Sequence, residues 1–169
     1  VSGGEHMDGP LPGKLVQPPE IPEHARKVVN TRTITFEGNI STVPVQFFLD
    51  GKPFSGSRVD QTVLAGTTEE WLLVNKDVFQ HPFHIHVNPF QVIEVNGKPT
   101  CDDSWWDTFA LPPKGTAKLR MYFRPDVTGL TVYHCHILPH EDNGMMANIL
   151  IYGDLPSGFG PSHEHGGGK

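Results

Sequence analysis

Nowhere along the chain do apolar residues recur at helical spacing for a useful length. They alternate instead, in short runs closed off by glycine and proline. Ile34 and Phe36 alternate with Thr33 and Thr35, and Val43, Val45, Phe47 and Leu49 alternate before Asp50-Gly51 turns the chain. Residues 70–75, 90–95, 117–123, 130–136 and 147–152 are further strand candidates, punctuated by Asn96-Gly97 and Lys114-Gly115. With 18 glycines and 16 prolines to supply turns, this pattern predicts an all-β sandwich over residues 27–153. Residues 1–26 hold five prolines and four glycines without alternation and read as an extended leader or interdomain linker. Residues 154–169 read as a flexible Gly/His tail.

Six of the ten histidines fall in two short segments, His81-Pro82-Phe83-His84-Ile85-His86 and His134-Cys135-His136 with His140 just beyond. Met145 and Met146 follow. Two imidazoles, one thiolate and a weak axial thioether make a blue-copper site, and His81, Cys135, His140 and a methionine supply that set. Successive side chains on a strand point to opposite faces. Cys135 therefore faces one way while His134 and His136 face the other, and His84 and His86 share a face that His81 does not. Each segment splits into one group for a single metal and one for a second site, the second being His84, His86, His134 and His136. Structural zinc is the rival reading. Six histidines, a cysteine and a methionine overfill one tetrahedron, and a thioether is a poor zinc ligand. A Cys101–Cys135 disulfide is disfavoured because Cys135 sits between two histidines, which leaves Cys101 over.

A formal charge of -6 offers no basic patch to meet phosphates, which argues against nucleic acid as a partner. No apolar run approaches the roughly 20 residues of a membrane-spanning helix.

The segment 81–86, HPFHIH, resembles the H-P-x-H-x-H motif of multicopper oxidases, the family of laccases, spore-coat laccases and cuprous oxidases. Residues 134–145, HCHILPHEDNGM, are similar to the H-C-H-x3-H-x4-M motif of the same family, and 105–115 to the stretch between the two. The resemblance implies a cupredoxin-like Greek-key β-sandwich, the carboxy-terminal domain of such an enzyme, with copper as cofactor. It implies that His81, Cys135 and His140 bind a type 1 copper with Met145, rather than Met146, as axial ligand. His84 resembles a type 2 ligand, and His86, His134 and His136 resemble type 3 ligands. Glu141 resembles an acid that passes protons to the oxygen-reducing cluster.

In this family two further H-x-H motifs come from another domain. The only other literal one here, His163-Glu164-His165-Gly166, lies in the tail with no strand around it to hold it and is rejected. The expected partners are therefore other cupredoxin domains, of the same polypeptide or a partner chain, together with dioxygen and a small reducing substrate. That substrate is left open among phenols, aromatic amines and metal ions, although four methionines are few for a dedicated copper(I) oxidase. The location implied is extracytoplasmic. A freestanding blue-copper electron carrier is the alternative, but it leaves four histidines without a task.

Overall fold

The computed structural model describes residues 20–101 and 103–153. The tail and its His-Glu-His motif, and most of the leader, lie outside them. After a 3-10 turn at Glu23–Ala25, the chain forms β1 (Val28–Asn39), β2 (Gln46–Leu49), β3 (Gln61–Leu64), β4 (Thr68–Asn75), β5 (His81–Ile85) and β6 (Phe90–Val95). It continues through β7 (Lys98–Pro99), β8 (Thr108–Leu111), β9 (Thr116–Tyr122), β10 (Gly129–Cys135), the short helix α1 (Leu138–Asp142) and β11 (Met146–Tyr152). Two sheets result, ordered β2-β1-β4-β9-β6-β7 and β3-β11-β10-β5-β8. Consecutive strands repeatedly change sheets, so β4 and β6 lie in one and β5 between them in sequence lies in the other.

The alternation is realised in burial. Along β9, Ala117, Leu119 and Met121 point inward while Thr116, Lys118, Arg120 and Tyr122 do not. Trp71, Tyr133, Phe36, Phe83, Phe90 and Phe123 are the largest fully buried side chains and fill the space between the sheets. Each such ring removes roughly 150–250 Å² from water, so these positions dominate the core. A polar clamp ties the sheets together at one end. The Arg32 guanidinium donates to both Glu69 carboxylate oxygens, at 2.6 and 2.9 Å, and across to Gln61 Oε1 and the Thr62 carbonyl on β3. Trp71 Nε1 also donates to Glu69, at 2.9 Å.

Five elements differ from the expected alternation. The strand expected from Val43 begins only at Gln46, because Pro44 has no N–H to give a ladder and Val43 lies wholly exposed. Strands β3, β7 and β8 are too short to show a period. Helix α1, five residues long, is below the length at which helical spacing can register.

Candidate metal centre

β5 and β10 are antiparallel neighbours, with Tyr133 opposite Ile85, His134 opposite His84 and Cys135 opposite Phe83. This register decides which side chains meet. His81, Phe83 and Ile85 face the core from β5, and Cys135 ends β10 with its thiol in the same interior. The chain then turns through α1 and brings His140 back over Cys135. Cys135 Sγ lies 3.6 Å from Nδ1 of both His81 and His140, and the two Nδ1 atoms are 3.2 Å apart. Backbone bonds close the loop: Met145 N–H donates to the His140 carbonyl at 2.9 Å and Cys135 N–H to the Met145 carbonyl at 3.0 Å. Met145 is thereby fully buried beside Cys135, whereas Met146 is half-buried on β11 opposite His134. Gly144 is required in this loop, since its φ is +115° and a Cβ would stand 2.6 Å from the Phe47 carbonyl oxygen.

Surrounding groups hold these side chains in place. His81 Nε2 donates to Asp77 Oδ2 at 2.8 Å, which fixes the tautomer and leaves Nδ1 with its lone pair toward Sγ. Asp77 is itself set by the buried Asn75, whose Oδ1 accepts from Asp77 N–H and whose Nδ2 donates to the carbonyls of Phe79 and Pro112. Phe47 stacks on His140 with ring centres 4.0 Å apart, and Phe79 lies edge-on to His81 at 5.1 Å. Burial lowers the affinity of His81 and His140 for protons, Asp77 opposing it in both. The same burial pushes the Cys135 thiol up to about 11.

On the opposite side of the same two strands lies a second imidazole group. Nitrogen atoms of His84, His86 and His134 all lie within 4.8 Å of one another. His136 adds its ring 5.3 Å from His84 and 5.7 Å from His134. His84 Nδ1 donates to the Asp107 carbonyl at 2.8 Å, and His134 Nδ1 lies 3.0 Å from both the Cys135 carbonyl and Glu141 Oε2. Each of these two rings therefore turns Nε2 away from its protein partners, and His134 Nε2 stands 3.2 Å from that of His86. Burial, then the neighbouring His84 and His134, lowers the pKa of His86.

The seven histidine and cysteine side chains expected as metal ligands thus fall into two groups, Met145 is buried in the loop that closes the first, and Glu141 sits against the second. The donor chemistry fits copper: a buried sulfur and two neutral imidazoles converge with their other ring nitrogen or ring face already occupied. The sequence reading missed Asp77, Phe47, Phe79, Asn75 and the carbonyl of Asp107. Only Asp77, four residues before His81, offered a local signal. Cys101 and Cys135 are both free, Cys101 exposed and Cys135 buried.

The geometry defines a class, a cupredoxin-like Greek-key β-sandwich whose strands β5 and β10 feed two adjoining groups of candidate metal donors. A family model described as multicopper oxidase matches residues 18–154, and the chain belongs to the multicopper oxidase family. It is 36% identical over 127 residues to "Multicopper oxidase mco" of Staphylococcus haemolyticus, covering 72% of this chain and 27% of that protein. To "Laccase" of Bacillus subtilis it is 28% identical over 149 residues, covering 76% and 29%. Among solved structures, a laccase from Pediococcus acidilactici superposes with a TM-score of 0.72 at 32% identity, covering 88% of this chain and 32% of that one. The chain spans about a quarter to a third of the length of these relatives. Among the described residues, no helix is long and apolar enough to cross a membrane.

Proposed function

We propose that this chain is the copper-carrying domain of an oxidoreductase that takes single electrons from a small reductant and delivers them to dioxygen. In this reading His81, Cys135 and His140, with Met145 as axial ligand, hold a type 1 copper. His84, His86, His134 and His136 provide part of the shell of an oxygen-reducing cluster completed by another cupredoxin domain, of the same polypeptide or of a partner chain. Copper bound at these groups would supply one-electron redox chemistry that side chains cannot. The observation that carries the reading is the placement of the two donor groups on consecutive residues. Cys135 belongs to one and His134 and His136 to the other, so a single peptide unit on each side of Cys135 joins them.

The chain's own residues divide the remaining work. His140 lines a cleft of about 510 Å³ whose other walls are Ile40, Pro44, Val45, Phe47, Phe79, Pro139 and Asn143. Among the described residues no carboxylate lines it, so it suits a phenol or aromatic amine better than a hydrated metal cation. Glu141, partly exposed and in contact with His134, stands where a carboxylic acid can move protons between solvent and the cluster side. Thiolate ligation and the kinship both favour an extracytoplasmic location. A freestanding electron carrier would need only the Cys135 group, and the four clustered imidazoles favour the oxidase.

The test is anaerobic addition of copper(II) to the purified chain, with Cys135→Ser as control. An intense blue charge-transfer band with narrow copper hyperfine splitting, lost in the variant, is the expected result. A colourless protein that takes up zinc in its place would overturn the assignment. Copper content of the protein with its cluster complete separates the alternatives, one per chain for a carrier and several for an oxidase.

A further inference from the structure

We infer that Gly38 is a positioning residue for the Cys135 centre: the space left by its missing side chain is what lets Phe47 and Asp77 hold His140 and His81. The inference rests on the proposed metal role of those histidines. Gly38 lies on β1 directly opposite Phe47 on β2. A Cβ at Gly38 would stand 2.8 and 2.9 Å from Cε1 and Cδ1 of Phe47 and 3.2 Å from Asp77 Oδ2. Carbon atoms do not approach that closely without something moving.

Neither neighbour is free to give way. The Phe47 ring is buried and stacked on His140, and its backbone is pinned to the ligand loop, its N–H donating to the Asn143 carbonyl at 3.0 Å. Asp77 Oδ2 is the atom that accepts from His81 Nε2, and Asp77 N–H is held by Asn75. Relief of the contact must therefore pass to His140, to His81, or to both. One absent methyl group on β1, a strand that carries no ligand, thereby governs two ligands that come from β5 and α1. An aromatic ring covering a cross-strand glycine is also a packing device, and that role alone would change stability while leaving the two imidazoles where they are.

The experiment compares Gly38→Ala with wild type and with Gly56→Ala, a control whose Cβ would meet nothing within 4 Å. Imidazole nitrogen–proton correlation spectra of the copper-free chain are recorded first, then copper(II) affinity. The expected result is movement of the His81 and His140 ring signals with those of His84 and His136 unmoved. Copper affinity at the Cys135 centre should fall about 10- to 100-fold, the usual effect of disturbing a group behind a ligand, with no change in Gly56→Ala. A folded Gly38→Ala with His81 and His140 signals at their wild-type positions overturns the inference. Should Gly38→Ala fail to fold, Phe47→Leu and the double variant Gly38→Ala/Phe47→Leu replace it. With the ring gone only the contact to Asp77 remains, so the His81 signals must differ between those two, and identical signals overturn the inference. If the wild-type chain shows no blue band while the signals move as expected, the positioning role stands and the copper reading falls.

Discussion

Copper uptake at the Cys135 centre should carry a pH dependence set by burial. Removal of the thiol from water raises its pKa from 9.0 to about 11 in the metal-free fold. At pH 7 roughly one chain in 10⁴ then carries the thiolate that copper needs. Each unit of rising pH multiplies that fraction about tenfold, so apparent affinity should rise about 100-fold from pH 7 to 9, or about 2.7 kcal/mol. His81 and His140 add nothing to this slope, because burial lowers their pKa and both are already neutral at pH 7. One proton should therefore leave per copper bound. The assay is an anaerobic titration against a competing chelator, followed by the thiolate-to-copper band, with the proton count taken by calorimetry in two buffers of different ionisation enthalpy. A flat affinity between pH 7 and 9 would refute the reasoning, and a slope near two would show that a histidine also has to lose a proton. The metal-free fold carries the linked effect. Its thiol pKa lies above the unfolded value, so stability is full below pH 9 and should decline by about 3 kcal/mol as pH rises through 11.

Three substitutions extend the test. Asp77→Ala removes the acceptor for His81 Nε2–H, and copper affinity should fall about 10- to 100-fold. The reduction potential should rise, since a nearby negative charge favours the more positive oxidised state; a redox titration with an unchanged midpoint would count against this. Glu141→Gln, in the protein with its cluster complete, should slow oxygen reduction by about 100-fold while leaving the blue band intact. An unchanged rate would reduce Glu141 to a support for His134. Arg32→Met leaves the Glu69 carboxylate, only 3% exposed, without its cation, and urea unfolding should report a loss of about 3 kcal/mol. A loss below about 1 kcal/mol would mean that water reaches Glu69 when the guanidinium is gone.

Much of the centre was legible before any fold was known, because strand geometry imposes a period of two. In His134-Cys135-His136 that period alone separates the thiol from its neighbouring imidazoles, and in 81–86 it separates His81 from His84 and His86. The all-β class followed in the same way from Thr33–Phe36 and from the later alternating runs. The resemblance to multicopper oxidases added two expectations that periodicity could not, Met145 over Met146 as axial ligand and a division of the histidines among copper types.

Other features were decided only by tertiary structure. No local pattern marks Phe47 as the ring stacked on His140, or Gly38 as the space that admits it, because both contacts arise when β1 and β2 pair in one register and the α1 loop folds onto them. Asp77 reaches His81 from a turn that Asn75 holds by bonds to residues distant in sequence, Pro112 among them. Strand β3 has too few residues to show a period, and it exists because Gln61–Leu64 pairs in parallel with β11 and receives the Arg32 clamp. The sequence by itself determined which atoms could bind a metal and which way each faced along its own strand. Only the pairing of β5 with β10 and the closure of the α1 loop decided how those atoms converge, since distances between segments depend on register and loop closure, which no single segment encodes.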